Sequence, residues 1–186
     1  MNKKTISVNF FAGPGTGKST IAAAVFAALK SDDVNVELVT EYAKRKVWEE
    51  AYKVFECQMY VCAKQIYSMF VVGKHVDVIV TDSPLVLSVA YNDDVDGLLD
   101  QILLKEHEKY HNINIFLNRT KKYNPKGRMQ TEAEARGIDE EVKQILKEKE
   151  LDYVEFVSSK ENIENIVTYI KQKISEYDLK FQKETI

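Results

Sequence analysis

Residues 10–20 read Phe-Phe-Ala-Gly-Pro-Gly-Thr-Gly-Lys-Ser-Thr and lead from an apolar segment into a helix-forming run. Their spacing is that of the G-x-x-x-x-G-K-[ST] motif, with Ala12 at the first glycine position. In this motif, the backbone N–H groups of a glycine-rich turn and the N-terminus of the next helix face phosphate oxygens. The stretch therefore predicts a phosphate-binding loop. A plain surface turn is the alternative, but it would not need this motif between a strand and a helix.

The side chains of the loop are suited to a nucleotide and a divalent cation. Glycines at 13, 15 and 17 allow positive φ and close backbone approach. Lys18 can reach the β- and γ-phosphates, and the Ser19 hydroxyl can take one coordination position on Mg²⁺. The predicted nucleotide-binding residues of the loop are Gly13, Pro14, Gly15, Thr16, Gly17, Lys18, Ser19 and Thr20.

The composition is that of one globular domain. The chain has 186 residues, with 45% hydrophobic and 30% charged, which fits a single α/β domain over residues 1–186. A net charge of −3 offers no basic field for a long nucleic acid, so a small anionic ligand fits better. We expect no membrane association and a cytoplasmic location. Cys57 and Cys62 match neither a zinc pair nor a redox motif, and buried thiols are expected.

Apolar runs and breaks predict alternating strands and helices. Residues 52–72 read as a largely buried helix, and residues 178–186 as a frayed or lightly docked tail. The predicted strands are residues 6–11, 36–39, 76–81, 112–117 and 153–157. The predicted helices are residues 18–30, 52–72, 93–110, 132–149 and 161–174.

Acidic residues follow two of the predicted strands, at the edge where open α/β sheets bind ligands. Glu41 follows the second strand, and Asp82 follows the third. A carboxylate after an apolar strand is the second signature of P-loop proteins and holds Mg²⁺ directly or through water. Helix capping is the alternative role for Asp82.

Other polar residues of this region have less specific patterns. Gln58 and Gln65 share a helix face and can present amides to a substrate, although hydrogen bonding within the core or exposure to solvent is the favoured interpretation. His107 and His111 are four apart without a further ligand, so no metal site is predicted there.

A basic segment with Pro and Gly follows the fourth strand. Residues 118–136 carry no apolar face and can form a lid over the nucleotide phosphates, with Arg119 and Arg128 supplying charge to the transferring group. A solvated surface loop is the alternative.

Four motifs together resemble one family. They are Ala-Gly-Pro-Gly-Thr-Gly-Lys-Ser-Thr, Thr-Glu-Tyr-Ala-Lys-Arg, Thr-Asp-Ser-Pro and Tyr-Asn-Pro-Lys-Gly-Arg, in chain order. The chain is similar to P-loop kinases related to bacterial nicotinamide riboside kinase, many of them phage-encoded and labelled only as ATPases. The resemblance implies a three-layer P-loop nucleoside-triphosphate-binding fold, with a parallel five-stranded sheet in the order 2-3-1-4-5, helices on both faces and a short lid. It also implies ATP as donor and an acceptor near Glu41. In many relatives Arg follows the third-strand acid, where this chain has Ser83.

The resulting hypothesis is an ATP-dependent phosphotransferase acting on a nucleoside-like or nucleotide acceptor. The predicted catalytic residues are Lys18, Glu41, Asp82 and Arg128, with Arg119 on the nucleotide and Ser19 and Asp82 on Mg²⁺. Tyr42 and Trp48 can stack on the acceptor, although core packing is the favoured role of Trp48. The alternatives are a polynucleotide kinase acting on a 5′ end or a hydroxymethylated base, a P-loop ATPase, and a nucleotide-dependent switch. The oligomeric state is predicted as monomer or homodimer.

Overall fold

A parallel five-stranded sheet forms the centre of the molecule. The computed structural model describes residues 3–92, 97–120 and 131–184. The strand order is β2-β3-β1-β4-β5, and every pairing is parallel. Both the predicted order and the predicted α/β class are therefore confirmed. The strands are β1 Ile6–Phe11, β2 Val36–Val39, β3 Val78–Thr81, β4 His111–Asn118 and β5 Val154–Val157.

Helices cover both faces of this sheet. Two 3-10 helices lie at Tyr52–Glu56, within a predicted helix, and at Leu85–Tyr91, where no helix was predicted. No helix in the described ranges is long and apolar enough to cross a membrane. The α-helices are α1 Lys18–Ser31, α2 Tyr42–Trp48, α3 Gln58–Gly73, α4 Leu98–His107, α5 Glu132–Glu148 and α6 Ile163–Glu184.

The register of the strands brings their polar ends to one edge. Val39 of β2 lies beside Thr81 of β3, which in turn lies beside Asn9 of β1. Because the strands are parallel, the segments that follow β1, β2 and β3 leave the sheet on the same side. This arrangement places the phosphate-binding loop, Glu41 and Asp82 at a common rim.

The apolar core is split between the two faces of the sheet. On one face, Val8 and Phe10 of β1 pack in a cluster with α1 and α6. On the other, Phe11 and Phe116 pack against α5 and the second 3-10 helix. The strands are thus covered on both sides, as continuous apolar runs predict.

A buried ladder of amide side chains crosses the centre of the sheet. Asn9 Nδ2 donates to Oδ1 of Asn112 at 2.9 Å and of Asn114 at 3.0 Å, and Ser7 Oγ donates to Asn9 Oδ1 at 2.9 Å. Ser7 is 0% exposed and Asn9 1%. These side chains satisfy one another, so they can stand among apolar neighbours at small energetic cost.

The helix predicted at residues 52–72 differs from the structure in two ways. It is divided into a 3-10 helix and α3, and only part of α3 is buried. Tyr67 is 63% exposed and Phe70 50%, so the prediction of a largely buried helix was wrong. Apolar composition alone does not ensure burial, because a helix contacts the sheet along only one stripe.

Other predictions of the fold have different outcomes. Of the two predicted states of the C-terminal tail, frayed or lightly docked, the second agrees with the described residues, because α6 continues to Glu184 and Lys3 pairs with Asp178 at 2.8 Å. Cys62 is buried as predicted, but Cys57 is exposed.

The predicted lid is described only at its two ends, residues 118–120 and 131–136, the second of which begins α5. Arg128 lies outside the described residues.

His107 is a buried histidine at the end of α4. It is 3% exposed, and its Nε2 has no hydrogen-bond partner among the described residues. Burial lowers its pKa to about 4. Among the described residues, no group of three or more His, Cys, Asp or Glu side chains could hold a metal ion.

The buried histidine predicts that the protein loses stability in acid. Between pH 6.5 and 4 the unfolded chain binds a proton on His107 that the folded chain does not, so the free energy of unfolding falls as the pH falls. Between pH 7.5 and 4.5 this amounts to about 2–3 kcal/mol. Urea unfolding of the wild type and of His107→Leu at both pH values measures it. Equal pH dependence in the two proteins would contradict the assignment.

Candidate functional site

The phosphate-binding loop has the backbone of an anion cradle. Gly15 has a φ of 82° and Gly17 a φ of 109°, values that side chains with a Cβ rarely adopt. No described residue accepts a hydrogen bond from the N–H of Gly15 or Gly17. The loop then passes into α1 at Lys18. Unsatisfied N–H groups at a helix start are the expected donors for a phosphate.

Of the two properties predicted for the loop glycines, Gly13 has the close backbone approach but not the positive φ. Its φ is not positive, unlike that of the other two loop glycines. A Cβ at this position would lie 2.3 Å from the carbonyl oxygen of Ala135 and 2.8 Å from Asp139 Oδ1. Helix α5 therefore packs directly against the loop backbone at Gly13.

The carboxylate of Asp139 fixes the loop in this position. Its Oδ1 accepts a hydrogen bond from the N–H of Gly13 at 2.6 Å, and its Oδ2 accepts from Nε and Nη2 of Arg119 at 2.9 and 2.8 Å. Arg119 also donates from Nη1 to the carbonyl oxygen of Pro14 at 2.9 Å. The Arg119 side chain is only 4% exposed. We call Asp139, Arg119, Gly13 and Pro14 the loop clamp.

The sequence analysis missed Asp139 and assigned Arg119 to the nucleotide. Asp139 lies among Glu140 and Glu141 in a charged helix, which reads as a solvated face, so no sequence signal marked it. In the structure, the Arg119 guanidinium donates hydrogen bonds to Asp139 and to the loop backbone.

Lys18 projects over the loop. Its Nζ donates to the carbonyl oxygens of Ala12 at 2.6 Å and Gly13 at 3.1 Å. Burial lowers the pKa of Lys18, while the nearby charges of Glu41 and Asp82 act to raise it. The ammonium is thus held among oxygens in a poorly solvated place, where a phosphate oxygen would be a strong competing acceptor.

Hydrogen bonds fix the segments that follow β2 and β3 to one another. The N–H of Glu41 donates to Asp82 Oδ1 at 3.1 Å. The Gln65 amide accepts from the N–H of Tyr42 at 3.1 Å and donates to the carbonyl oxygen of Ser83 at 3.2 Å. Gln65 therefore makes internal hydrogen bonds, as the favoured interpretation predicted, and positions the chain around both acidic residues.

A cavity of about 470 Å³ opens beside the loop. Trp48, expected in the core, is instead 65% exposed and lines this cavity, so the core-packing prediction was wrong. No described residue forms a hydrogen bond with the Gln58 side chain, which also lines it. The lining residues from the loop and α1 are Pro14, Gly15, Gly17, Lys18, Ser19 and Thr20, and those facing them include Glu41, Tyr42, Lys44, Trp48, Phe55, Gln58, Ser88 and Tyr91.

The structure brings together part of the predicted site. Lys18, Ser19 and Glu41 line the same cavity, whereas Asp82 lies just behind its wall and is 2% exposed. Arg119 belongs to the loop clamp and does not line the cavity. The sequence analysis also missed Lys44, whose Nζ donates to Ser19 Oγ at 3.2 Å.

The donor groups fit a nucleotide with Mg²⁺. The Ser19 hydroxyl and the Asp82 carboxylate are hard oxygen ligands, and the described residues hold no larger group of potential metal ligands. Mg²⁺ is usually held by one or two protein oxygens together with substrate phosphates and water. The free N–H groups of the loop and the Lys18 ammonium complete a set of donors for phosphate oxygens.

Comparisons with known proteins agree with this geometry. A family model described as "AAA domain" matches residues 7–165. No curated protein gives a significant match. The residues matched by the family model contain the phosphate-binding loop, Glu41, Asp82 and the loop clamp.

Two solved structures share the fold. A NadR protein in complex with NR matches with a TM-score of 0.59 and 18% identity. The match covers 82% of this chain but only 43% of the NadR chain. A deoxyadenosine kinase from M. mycoides, with the products dCMP and a flexible dCDP bound, has a TM-score of 0.54 and 18% identity over 91% of this chain and 99% of that chain. The predicted resemblance to P-loop kinases is thereby confirmed at the level of the fold, and the family model identifies an AAA domain over residues 7–165.

The close approach of α5 to the loop predicts that Gly13 does not tolerate a side chain. Gly13→Ala should push α5 away, break the Asp139 hydrogen bond and weaken ATP binding by at least about tenfold, on the scale of one charged hydrogen bond. Titration calorimetry with MgATP measures the effect.

Gly137→Ala in the same helix is the matched control. A Cβ at Gly137 meets nothing within 4 Å, so this variant should bind ATP normally and gain up to about 1 kcal/mol of stability. Equal ATP affinity for Gly13→Ala and the wild type would show that the contact does not shape the nucleotide site.

Proposed function

We propose a kinase activity for this chain, which belongs to the AAA domain family: it transfers the γ-phosphoryl group of ATP to a hydroxyl or phosphate of a nucleoside-like or nucleotide acceptor. The observation that carries the proposal is the continuity of the cavity. Phosphate-binding groups of the loop line one side, and Glu41 with aromatic and amide side chains lines the other. Donor and acceptor can therefore meet in one cavity, which an ATPase does not require.

On the donor side, the protein contributes charge and position. The loop N–H groups and Lys18 would hold the β- and γ-phosphates, and Ser19 and Asp82 would hold Mg²⁺, which neutralises phosphate charge. The loop clamp keeps the cradle in place by fixing Gly13 and Pro14. Arg119 acts in this proposal through the loop backbone.

On the acceptor side, Glu41 is the proposed orienting group or base. Its backbone is held by Asp82, so its position relative to the loop is fixed. Its charge acts to raise the pKa of Lys18, so the carboxylate lies near that ammonium. A carboxylate there can accept the proton of an acceptor hydroxyl as the new bond to phosphorus forms.

The remaining cavity wall suits a small acceptor with a flat polar ring. Trp48 and Phe55 offer aromatic surface, and Gln58 offers an amide without an internal partner among the described residues. The cavity of about 470 Å³ lies in the range typical of small-molecule sites. This size favours a nucleoside or nucleotide over a polynucleotide strand. The solved deoxyadenosine kinase, similar in fold, holds nucleotides of this size.

A screen of acceptors tests the proposal directly. Wild-type protein is incubated with γ-labelled ATP, Mg²⁺ and a panel of nucleosides, nucleoside monophosphates and 5′-hydroxyl oligonucleotides. We expect labelled product from a nucleoside or a monophosphate. Label on the oligonucleotide alone would support the polynucleotide alternative, and release of phosphate without any labelled acceptor would support an ATPase.

Removal of the Lys18 ammonium should abolish transfer. Lys18→Ala is expected to lose nearly all activity, because the ammonium is the proposed phosphate contact. It should remain folded, because that ammonium binds the loop carbonyl oxygens of Ala12 and Gly13 and not the core. Lys30→Ala, at the other end of the same helix, removes an exposed pair with Glu37 and should retain full activity. Labelled transfer and circular dichroism check both variants. A normal rate for Lys18→Ala with ATP would contradict the donor assignment.

Glu41→Gln should separate the chemistry from ATP binding. If Glu41 orients or deprotonates the acceptor, turnover should fall by a factor on the order of 10²–10⁴ with ATP affinity little changed. Glu49→Gln at the end of α2 is the control, since Glu49 pairs with Arg45 and does not line the cavity. Loss of ATP binding with an intact rate constant would place Glu41 on the donor side or give it a structural role.

A further inference from the structure

Three consecutive basic residues of α2 have different surroundings. Arg45 and Lys46 both pair with Glu49 one turn later, and the Arg45 side chain is 80% exposed. Lys44 faces the other way and lines the cavity. Within the described ranges it makes no ion pair, and its hydrogen bond to Ser19 Oγ at 3.2 Å is its polar contact.

Lys44 contacts the Ser19 hydroxyl, the group that is proposed to bind Mg²⁺. In the proposed function Ser19 is a ligand of Mg²⁺, and two cations that close to one another repel strongly in a partly enclosed site. Lys44 must therefore leave Ser19 when the metal nucleotide binds. Its flexible stem lets the ammonium move several ångströms without a change in the helix.

A new partner for the displaced ammonium is the terminal phosphate of the nucleotide. Ser19 and Lys18 lie at the end of the loop that receives the β- and γ-phosphates. A cation that contacts Ser19 from the cavity side is therefore beside the γ-phosphoryl group, between donor and acceptor. Asp82 is followed by Ser83, which has no charge to offer, so Lys44 and Lys18 are the cations that line the cavity in the described part of the chain.

We infer that Lys44 is a second phosphate-binding cation, which moves from Ser19 to the γ-phosphoryl oxygens when the metal nucleotide binds. Together with Lys18 it would hold the transferring group from two sides. This inference rests on the proposed function. It adds a residue from α2 to the donor site. The segment after β2 would then contact both substrates, because Glu41 would contact the acceptor and Lys44 would contact the donor.

Nucleotide affinities measured without acceptor test this role. The single tryptophan, Trp48, lies one turn after Lys44 and lines the same cavity, so its fluorescence reports on occupancy. Wild type, Lys44→Met and the control Arg45→Met are titrated with Mg²⁺ and ADP, and with Mg²⁺ and the β,γ-imido analogue of ATP. Calorimetry confirms the dissociation constants.

Lys44→Met should weaken binding of the triphosphate analogue by about tenfold or more, and binding of ADP by less than about threefold, because only the triphosphate carries the γ-phosphoryl group. Arg45→Met should change neither affinity, and Lys44→Arg should restore much of the difference by restoring the charge. These results would support the inference.

Two results would overturn it. If Lys44→Met weakens both nucleotides equally, or neither, Lys44 has no specific contact with the γ-phosphoryl group although the proposed kinase function stands. If the wild type binds neither nucleotide, the proposed function fails and the role of Lys44 fails with it.

Discussion

The contact between the Asp139 carboxylate and the N–H of Gly13 holds the glycine-rich loop against helix α5. A glycine-rich loop has little to hold it in one conformation, because glycine loses more backbone entropy on ordering than any other residue. Here a carboxylate that is 14% exposed accepts a hydrogen bond from the loop backbone at 2.6 Å and is itself neutralised by Arg119, which reaches Pro14. Both charges are paired and hydrogen-bonded, the condition under which a buried ion pair can persist. The loop is therefore organised by β4 and α5 as well as by its own sequence.

Much of the fold was predictable because its signals are local. The loop motif, the apolar strands and the acidic residues after β2 and β3 each lie within a short segment, and all of them predict a parallel sheet with one ligand edge. The resemblance to P-loop kinases then supplied the strand order. Burial was less predictable. Tyr67 and Phe70 are exposed although they are apolar, since α3 presents only one stripe to the sheet.

The missed residues of the site all depend on distant partners. Asp139 is one acid among several in α5 until the fold brings Gly13 and Arg119 to it. Lys44 is one of three consecutive basic residues, and it differs from Arg45 only because the orientation of α2 turns Lys44 toward the cavity and Arg45 toward Glu49. The same holds for Asn9, whose amide is acceptable in a buried strand only because β4 places Asn112 and Asn114 beside it. Sequence spacing cannot show such pairings.

The two cysteines differ in solvent exposure, so a thiol reagent can label one position of the chain selectively. Cys62 is buried within the core cluster beneath α3, whereas Cys57 is exposed between Phe55 and Gln58, both of which line the cavity. A thiol-selective spin label or maleimide dye would attach to Cys57 in the folded protein and leave Cys62 unmodified. The unmodified sequence thus carries a single attachment point at the mouth of the cavity, from which movements of its rim can be followed spectroscopically.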